Sequence, residues 1–186
     1  MVRFSPMSVR LRQLEGPQGV GKTTASMHAE AIGFKYQRGI PTGDRLVANT
    51  EAQNWKESLE IMEAIVASRE DTATDRSLWS LVAYSMRNKP QSADFFYETG
   101  SKLFRKRLDG ADYRIIIVYS AADICLQRAN PDSPVSIKSV EEANSEIEAY
   151  SELLERLGAD GYEVYSICNT GISREEFLSQ VRELLE

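Results

Sequence analysis

Apolar and polar positions along the chain follow two alternating periods. Short runs, mostly apolar or strictly alternating, predict five strands at residues 9–15, 33–37, 72–74, 113–119 and 162–167. Longer stretches, with apolar residues three or four positions apart, predict helices at residues 22–31, 50–68, 78–89, 92–108, 122–129, 139–157 and 173–185. Strands and helices therefore alternate along the chain, which predicts a parallel α/β sheet with helices on both faces.

The strongest strand pattern is the continuous apolar run around Ile115, Ile116, Ile117 and Val118. Such β-branched runs are typical of strands that are buried on both faces of a parallel sheet. We therefore expect this strand to lie centrally.

Length and composition predict one domain with a substantial core, since the chain has 186 residues, of which 42% are hydrophobic. Residues 1–8 form a loose leader in this interpretation, and residues 9–186 form the domain. The net charge is −6, which argues against a general affinity for nucleic acid polymers or anionic membranes.

Cellular location is predicted from cysteines and from apolar segments. Cys125 and Cys168 lie in apolar runs without metal-ligand spacing, and we expect two buried, reduced thiols, with a structural disulfide as the alternative. Residues 1–8 lack the apolar core of a signal peptide, and no stretch is apolar enough to span a membrane. The sequence therefore predicts a cytoplasmic protein.

Residues 16–23 read G-x-x-x-x-G-K-T between a predicted strand and a predicted helix. This is the context of a phosphate-binding P-loop, in which backbone N–H groups and a helix N-terminus face phosphate oxygens. Lys22 is expected to reach the β- and γ-phosphates of ATP, and the Thr23 hydroxyl to bind Mg²⁺. The nucleotide-binding residues predicted in this way are Gly16, Pro17, Gln18, Gly19, Val20, Gly21, Lys22, Thr23 and Thr24.

Two segments resemble the thymidylate kinase family of P-loop nucleoside monophosphate kinases. Residues 14–24, L-E-G-P-Q-G-V-G-K-T-T, are similar to that family's F-E-G-x-D-G-x-G-K-T-T, and residues 75–85, D-R-S-L-W-S-L-V-A-Y-S, are similar to its D-R-Y-x-x-S-x-x-A-Y. The order of later elements also agrees, so the resemblance covers residues 9–186. It implies a P-loop NTPase three-layer sandwich with a five-stranded parallel sheet of order 2-3-1-4-5 and a short lid around residues 128–140.

The resemblance also implies roles for individual residues. Arg76 would bind the phosphate of the acceptor, with Asp75 near the metal or orienting the arginine. Arg38 would face the reacting phosphates, Tyr84 would close against the sugar, and Arg128 would stand where the lid begins. The implied activity is transfer of the γ-phosphoryl group of ATP to dTMP or a related deoxynucleotide, with Mg²⁺, in a homodimer.

Three positions depart from the family pattern. Gln18 replaces an acid that contacts the sugar 3′-hydroxyl, and Ser77 replaces the aromatic residue of D-R-Y. Residues 130–139 contain Lys138 where several arginines are usual. These departures leave open a nucleotide-binding module with weak turnover.

A nucleoside acceptor is a second alternative, because D-R-S is also similar to the E-R-S of deoxynucleoside kinases. A nucleoside hydroxyl gains from a general base, whereas a monophosphate is already ionised and needs charge neutralisation. An acid just after the second strand would suit a nucleoside, but Arg38 and Gly39 stand there, with Asp44 further along. The residues favour a monophosphate.

Several residues have two interpretations. Trp55 is a candidate for stacking on the base or for core packing, and Tyr84 for sugar contact or packing beside Leu81. His28 is expected to have no role. The acidic residues Glu141, Glu142, Glu146 and Glu148 are interpreted as a solvated helix face. A basic groove at Arg105, Lys106 and Arg107 would favour a third alternative, a kinase that acts on a nucleotide within DNA.

Overall fold

The computed structural model describes residues 9–40, 46, 48–108, 111–129 and 136–186. The strands are β1 (Arg10–Glu15), β2 (Lys35–Arg38), β3 (Thr72–Asp75), β4 (Asp112–Tyr119) and β5 (Val164–Cys168). The helices are α1 (Lys22–Ala31), α2 (Glu51–Ser68), α3 (Leu78–Asn88), α4 (Ala93–Arg107), α5 (Ala122–Arg128), α6 (Val140–Ala159) and α7 (Arg174–Leu185). A single 3₁₀ turn, Pro90–Ser92, joins α3 to α4.

The five strands form one parallel sheet in the order β2-β3-β1-β4-β5, as predicted. In this order β1 lies between β3 and β4, so the loop after β1 leaves from the middle of the sheet. Because all strands run in the same direction, the segments that follow β1, β2, β3 and β4 start at one common edge. We call this the carboxyl edge.

Side chains of β4 alternate between two hydrophobic clusters, one on each face of the sheet. Ile115 and Ile117 pack into the cluster that includes Trp79, Phe104 and many residues of α2, α3, α4 and α6. Ile116 and Val118 pack into the cluster with residues of α1, α5 and α7. The architecture is therefore a three-layer α/β/α sandwich, and the prediction of a central β4 is confirmed by its pairing with β1 and β5.

Helix ends agree with simple capping chemistry. Thr50 and Gln53 form a complete capping box at the start of α2, and the hydroxyl of Ser173 accepts a hydrogen bond from the backbone N–H of Glu176 at the start of α7. Ser139 caps α6 in the same way, through the N–H of Glu142.

Two predicted strands start too early in the sequence. The segment before β2 is still a turn, since the N–H of Phe34 donates to the carbonyl of Ala29. Likewise the N–H of Tyr162 donates to the carbonyl of Leu157, and Tyr162 packs in the core ahead of β5. Both residues close the turn that ends the preceding helix, a role that strand periodicity alone does not reveal.

Two predictions about apolar segments and cysteines can be compared with the structure. No helix in the described ranges is long and apolar enough to cross a bilayer. Cys125 is buried and Cys168 is exposed, and both are free thiols. The prediction that both thiols are buried is therefore wrong for Cys168, because it occupies the end of the edge strand β5.

Candidate phosphate-binding site at the carboxyl edge

The G-x-x-x-x-G-K-T segment forms the loop between β1 and α1 at the carboxyl edge. Its backbone packs so tightly that side chains are excluded at two positions. A Cβ atom on Gly16, where φ is +130°, would lie 2.1 Å from the carbonyl oxygen of Val118. A Cβ atom on Gly19, where φ is +77°, would lie 2.4 Å from the carbonyl oxygen of Cys125. The loop therefore rests on β4 and α5, and only glycine meets both requirements.

Asn169, which directly follows β5, contacts the same loop. Its side-chain amide donates to the carbonyl of Val20 at 2.8 Å, and its backbone N–H donates to the carbonyl of Tyr119 at 2.7 Å. The sequence interpretation missed this residue. Its position directly after β5, at the edge where the P-loop lies, was the only signal available.

Lys22 is 6% exposed, and its ammonium group donates to the carbonyl of Pro17 within the loop. Burial and then repulsion from Arg76 lower the pKa of Lys22 to about 7, although Asp75 and Glu146 oppose the shift. Among the described residues, Lys22 has no ion-pair partner. An anionic phosphate in the loop would provide one.

The Thr23 hydroxyl donates to the Oδ2 atom of Asp75 at 2.7 Å. Asp75 is the last residue of β3 and is paired in register with Arg38, the last residue of β2. The structure thus brings together Lys22, Thr23, Asp75 and Arg38, which the sequence interpretation selected. The Arg38 side chain is exposed, and among the described residues it has no hydrogen-bond or ion-pair partner.

The Thr23 and Asp75 oxygens form a donor set that fits Mg²⁺, which prefers hard oxygen ligands and usually combines one or two carboxylates with substrate phosphates. In the described part of the chain, no group of three or more His, Cys, Asp or Glu side chains is arranged to hold a metal. A magnesium ion at this position would therefore need phosphate oxygens as further ligands.

Arg76 adopts an uncommon backbone conformation, with φ of 70° in the left-handed region. Its N–H donates to the carbonyl of Leu14 at 2.9 Å, and its carbonyl packs so close to Gly39 that a Cβ atom there would lie 2.2 Å away. Strained conformations in residues other than glycine cluster at functional sites. The guanidinium donates to the Tyr150 hydroxyl at 3.3 Å, which holds it at the carboxyl edge.

Glu15 lies beneath Arg76 and is fully buried. Its two carboxylate oxygens accept hydrogen bonds from the hydroxyls of Ser77 and Ser80. Burial raises the pKa of Glu15 to about 7, and the two serine hydrogen bonds oppose the shift. Ser77 also accepts from the N–H of Trp79 at 3.2 Å and so caps α3. These contacts give Ser77 a structural role at the start of α3.

Glu146 is a functional candidate that the sequence interpretation missed. Glu141, Glu142 and Glu148 are exposed as predicted, but the Glu146 side chain is 13% exposed and turns toward the P-loop. Its Oε2 atom accepts from the N–H of Gln18 at 3.0 Å, and its Oε1 atom lies 3.8 Å from a guanidinium nitrogen of Arg87. The prediction of a wholly solvated acidic face is wrong at this position, because α6 packs across α3 and α5.

Tyr84 and Arg128 are both exposed. Tyr84 is 55% exposed, so the packing interpretation is wrong, and the Arg87 guanidinium lies 5.2 Å from its ring centre. Arg128 is exposed at the end of α5. Much of the predicted lid, residues 130–135, lies outside the described residues, as do the predicted leader and Asp44.

Trp55 is not brought to the P-loop. It packs in the core, 6.2 Å from Phe96, and lines a groove of about 760 Å³ between α2 and α4. The proposed basic groove also fails to approach the loop, because Arg105 lies near the end of α4 and bonds to Tyr162 and Asp160. The Arg107 side chain is outside the described residues.

Comparisons with known proteins find matches by structure but not by sequence. Neither a protein-family model nor a curated protein sequence matches the chain. Among solved structures, deoxyadenosine kinase from M. mycoides with bound dCTP matches with a TM-score of 0.64 and 11% identity, over 93% of this chain and 97% of that one. The same enzyme with products dCMP and a flexible dCDP matches with a TM-score of 0.62 and 12% identity, over 93% and 96%.

With bound dATP that enzyme matches with a TM-score of 0.57 and 12% identity, over 93% of this chain and 97% of that chain. The shared architecture extends over nearly the whole of both chains, and the strand order of this sheet agrees with it. The chain therefore shares the fold of these deoxyadenosine kinase structures.

Proposed function

We propose that this protein is an ATP-dependent phosphotransferase that phosphorylates a deoxynucleoside monophosphate, with dTMP or a related pyrimidine nucleotide as the first candidate. The observation that carries the proposal is the contact between Thr23 and Asp75, which unites the P-loop with the end of β3 beside Arg76. A P-loop that served only nucleotide binding would not need a left-handed arginine beside it.

In the reaction, an oxygen of the acceptor phosphate forms a bond to the γ-phosphorus of ATP. The bond between that phosphorus and the β,γ-bridging oxygen breaks, and ADP leaves. The loop N–H groups and Lys22 stabilise the negative charge that develops on the transferred group. Thr23 and Asp75 would hold Mg²⁺, which neutralises phosphate charge when it is bound.

Arg76 would align the acceptor phosphate with the phosphate chain of ATP. Two polyanions repel each other, so cations are needed on the acceptor side as well as in the loop. Arg38, at the end of β2, and Arg128, at the end of α5, are the further candidates. A monophosphate is favoured over a nucleoside because β2 ends in Arg38 and the described residues directly after it, Gly39 and Ile40, include no acid.

A deoxynucleoside is the second candidate acceptor, and one observation favours it. Glu146 presents a carboxylate beside the P-loop, and such a group can accept the proton that a nucleoside hydroxyl must lose. The similarity to deoxyadenosine kinase in fold also agrees with this candidate.

An ADP-release assay tests the proposal, with ATP, Mg²⁺ and a panel of deoxynucleosides and their monophosphates. We expect ADP formation that depends on a monophosphate acceptor and is lost in Lys22→Ala. Stimulation by nucleosides alone would assign the second candidate. Tight ATP binding without acceptor-dependent ADP formation would overturn the proposal and leave a nucleotide-binding module.

A further inference from the structure

A continuous series of hydrogen bonds links the buried Glu15 carboxylate to the guanidinium of Arg76. The Arg76 guanidinium donates to the Tyr150 hydroxyl at 3.3 Å, and this hydroxyl donates to that of Ser80 at 2.9 Å. The Ser80 hydroxyl donates to the Oε2 atom of Glu15. Ser80 and Tyr150 are 4% and 1% exposed, so water has little access to these bonds.

The carboxylate sets the direction of every bond in this series. An ionised carboxylate only accepts, and each hydroxyl has a single hydrogen to donate. Because the Ser80 hydrogen points to Glu15, the Ser80 oxygen accepts from Tyr150. The Tyr150 hydrogen points to Ser80, so the Tyr150 oxygen accepts from Arg76, a cation that only donates.

Glu15 also holds the backbone of Arg76. Its Oε1 atom accepts from Ser77, the residue that follows Arg76 and caps α3. In addition, the N–H of Arg76 donates to the carbonyl of Leu14, the residue before Glu15. The left-handed turn at Arg76 and the end of its side chain are therefore tied to one short segment of β1.

We infer that Glu15 and Tyr150 are positioning residues, which act through Arg76 to hold its guanidinium where the acceptor phosphate binds. This inference rests on the proposed function for the identity of the anion. Neither side chain contacts the substrate in this arrangement. Both act by fixing the orientation of a cation before substrate arrives.

Glu15→Gln changes the acceptors that the two serines use. The glutamine amide has one acceptor oxygen where the carboxylate has two, so one of the two serines must reverse its hydroxyl or lose its partner. If Ser80 reverses, it donates to the Tyr150 hydroxyl oxygen and competes with Arg76 for that acceptor. Tyr150→Phe removes the last acceptor while leaving the ring in place.

Tyr119→Phe is a matched control. The Tyr119 hydroxyl donates to the backbone carbonyl of Tyr150 at 3.0 Å, so this variant loses a tyrosine hydrogen bond to the same residue without touching the Arg76 series. We expect Glu15→Gln and Tyr150→Phe to lower kcat roughly 10- to 100-fold with the Kd for ATP nearly unchanged, by analogy with other supporting contacts. Tyr119→Phe is expected to keep its kcat.

A double-mutant cycle separates positioning from general damage. In an Arg76→Ala background, Tyr150→Phe and Glu15→Gln are expected to have no further effect on the residual rate, because they act through the missing guanidinium. Additive losses in the double variants, or an equal loss of kcat in Tyr119→Phe, would overturn the inference.

A second measurement does not depend on turnover. The Nε–H NMR signal of Arg76, assigned by its loss in Arg76→Ala, reports how rigid the guanidinium is. Glu15→Gln and Tyr150→Phe are expected to increase its motion, and Tyr119→Phe to leave it unchanged. An unchanged signal in the first two variants would contradict the positioning role. Absence of acceptor-dependent ADP formation by the wild-type protein would instead contradict the proposed function.

Discussion

The Thr23 hydroxyl and the Asp75 carboxylate meet at a distance of 2.7 Å, although 52 positions separate them in the sequence. Thr23 lies in the first turn of α1 and Asp75 ends β3, so their contact defines the centre of the carboxyl edge. The pair forms because β3 lies directly beside β1 in the sheet. This contact makes the first prediction possible.

Asp75→Asn removes one negative charge from the candidate Mg²⁺ ligands while keeping the shape of the side chain. We expect phosphoryl transfer to fall by a factor on the order of 10²–10³, with a higher Mg²⁺ concentration needed for half-maximal rate. The measurement is the initial rate of ADP formation against Mg²⁺ concentration.

The control for this variant is Asp71→Asn. Asp71 accepts hydrogen bonds from Arg10 at 2.7 and 2.9 Å at the opposite edge of the sheet. This variant is expected to keep the Mg²⁺ dependence of the wild-type protein. If both variants behave alike, Asp75 has no role at the metal.

Arg76→Ala and Arg76→Gly test how far the backbone at this position is strained. Both remove the same side chain, and both are expected to reduce transfer by a factor on the order of 10³–10⁵. Glycine adopts the left-handed conformation without the steric cost that a Cβ atom brings. Arg76→Gly is therefore expected to exceed Arg76→Ala in unfolding free energy by about 1 kcal/mol.

Arg69 supplies the matched pair. It is also left-handed, with φ of 57°, and it is exposed at the end of α2. We expect the same difference in stability between Arg69→Gly and Arg69→Ala, but wild-type activity in both. Urea unfolding measures the stabilities. Equal stability of the two Arg76 variants would mean that the left-handed turn does not persist in solution.

Because the pKa of Glu15 is raised, we expect the stability of the protein to depend on pH. Its pKa is raised from 4.5 to about 7, mainly by burial, and the charged or titratable groups near it are Arg76, Lys22 and Tyr150. A carboxyl with a raised pKa binds its proton more tightly in the folded state than in the unfolded state. Its contribution to stability is therefore complete below pH 4.5 and is lost as the pH rises through 7.

The comparison is between wild-type protein and Glu15→Gln, which has no carboxyl to titrate. We expect the unfolding free energy of the wild type, relative to the variant, to fall by up to about 3 kcal/mol between pH 4.5 and 7. Urea unfolding at several pH values measures it. Parallel pH profiles for the two proteins would contradict the raised pKa. Ionised Glu15 is the form that orients Arg76. The folded protein is therefore less stable in the protonation state that the site uses.

We expect Arg12 to have a purely structural role. It is fully buried and donates to the carbonyls of Leu185 and Asp112, each at 2.9 Å, with an ion pair to the Asp112 carboxylate at 3.2 Å. Arg12→Met leaves these acceptors without a partner. Because Asp112 keeps access to water, we expect a loss of about 1–3 kcal/mol in unfolding free energy.

Activity per folded molecule is expected to be unchanged in Arg12→Met, since Arg12 bonds at the start of β4 and the end of α7, away from the P-loop. Differential scanning calorimetry and the ADP-release assay together measure the two effects. A large loss of activity in fully folded protein would contradict this separation of structure and function.

Local signals were sufficient for much of the fold. The apolar periods located the five described strands and the helices α1 to α7 to within a few residues, and G-x-x-x-x-G-K-T identified the loop. Errors occurred where a turn carried apolar residues, as at Phe34 and Tyr162, because burial in a turn and burial in a strand look alike in sequence. The extension of β3 to Asp75 was also missed, since a four-residue strand of Thr, Ala and Asp has little apolar pattern.

The candidate site was predictable in part. Lys22, Thr23, Asp75 and Arg76 stand in short motifs, and the structure brings them to one edge. Glu146 and Asn169 belong to no motif, and their place depends on how α6 and β5 pack. Trp55 was selected for its aromatic ring, yet the rotation of α2 turns that ring toward α4.

The sequence by itself determined the alternation of strands and helices, the central position of the β4 run and the placing of the G-x-x-x-x-G-K-T segment between β1 and α1. Each of these depends on residues that are neighbours along the chain. Only the tertiary structure decided that Glu15, Ser80, Tyr150 and Arg76 form one hydrogen-bond series. These residues come from β1, α3, α6 and the turn after β3, and hydrogen bonds between them require the strand order and helix packing that the whole chain creates.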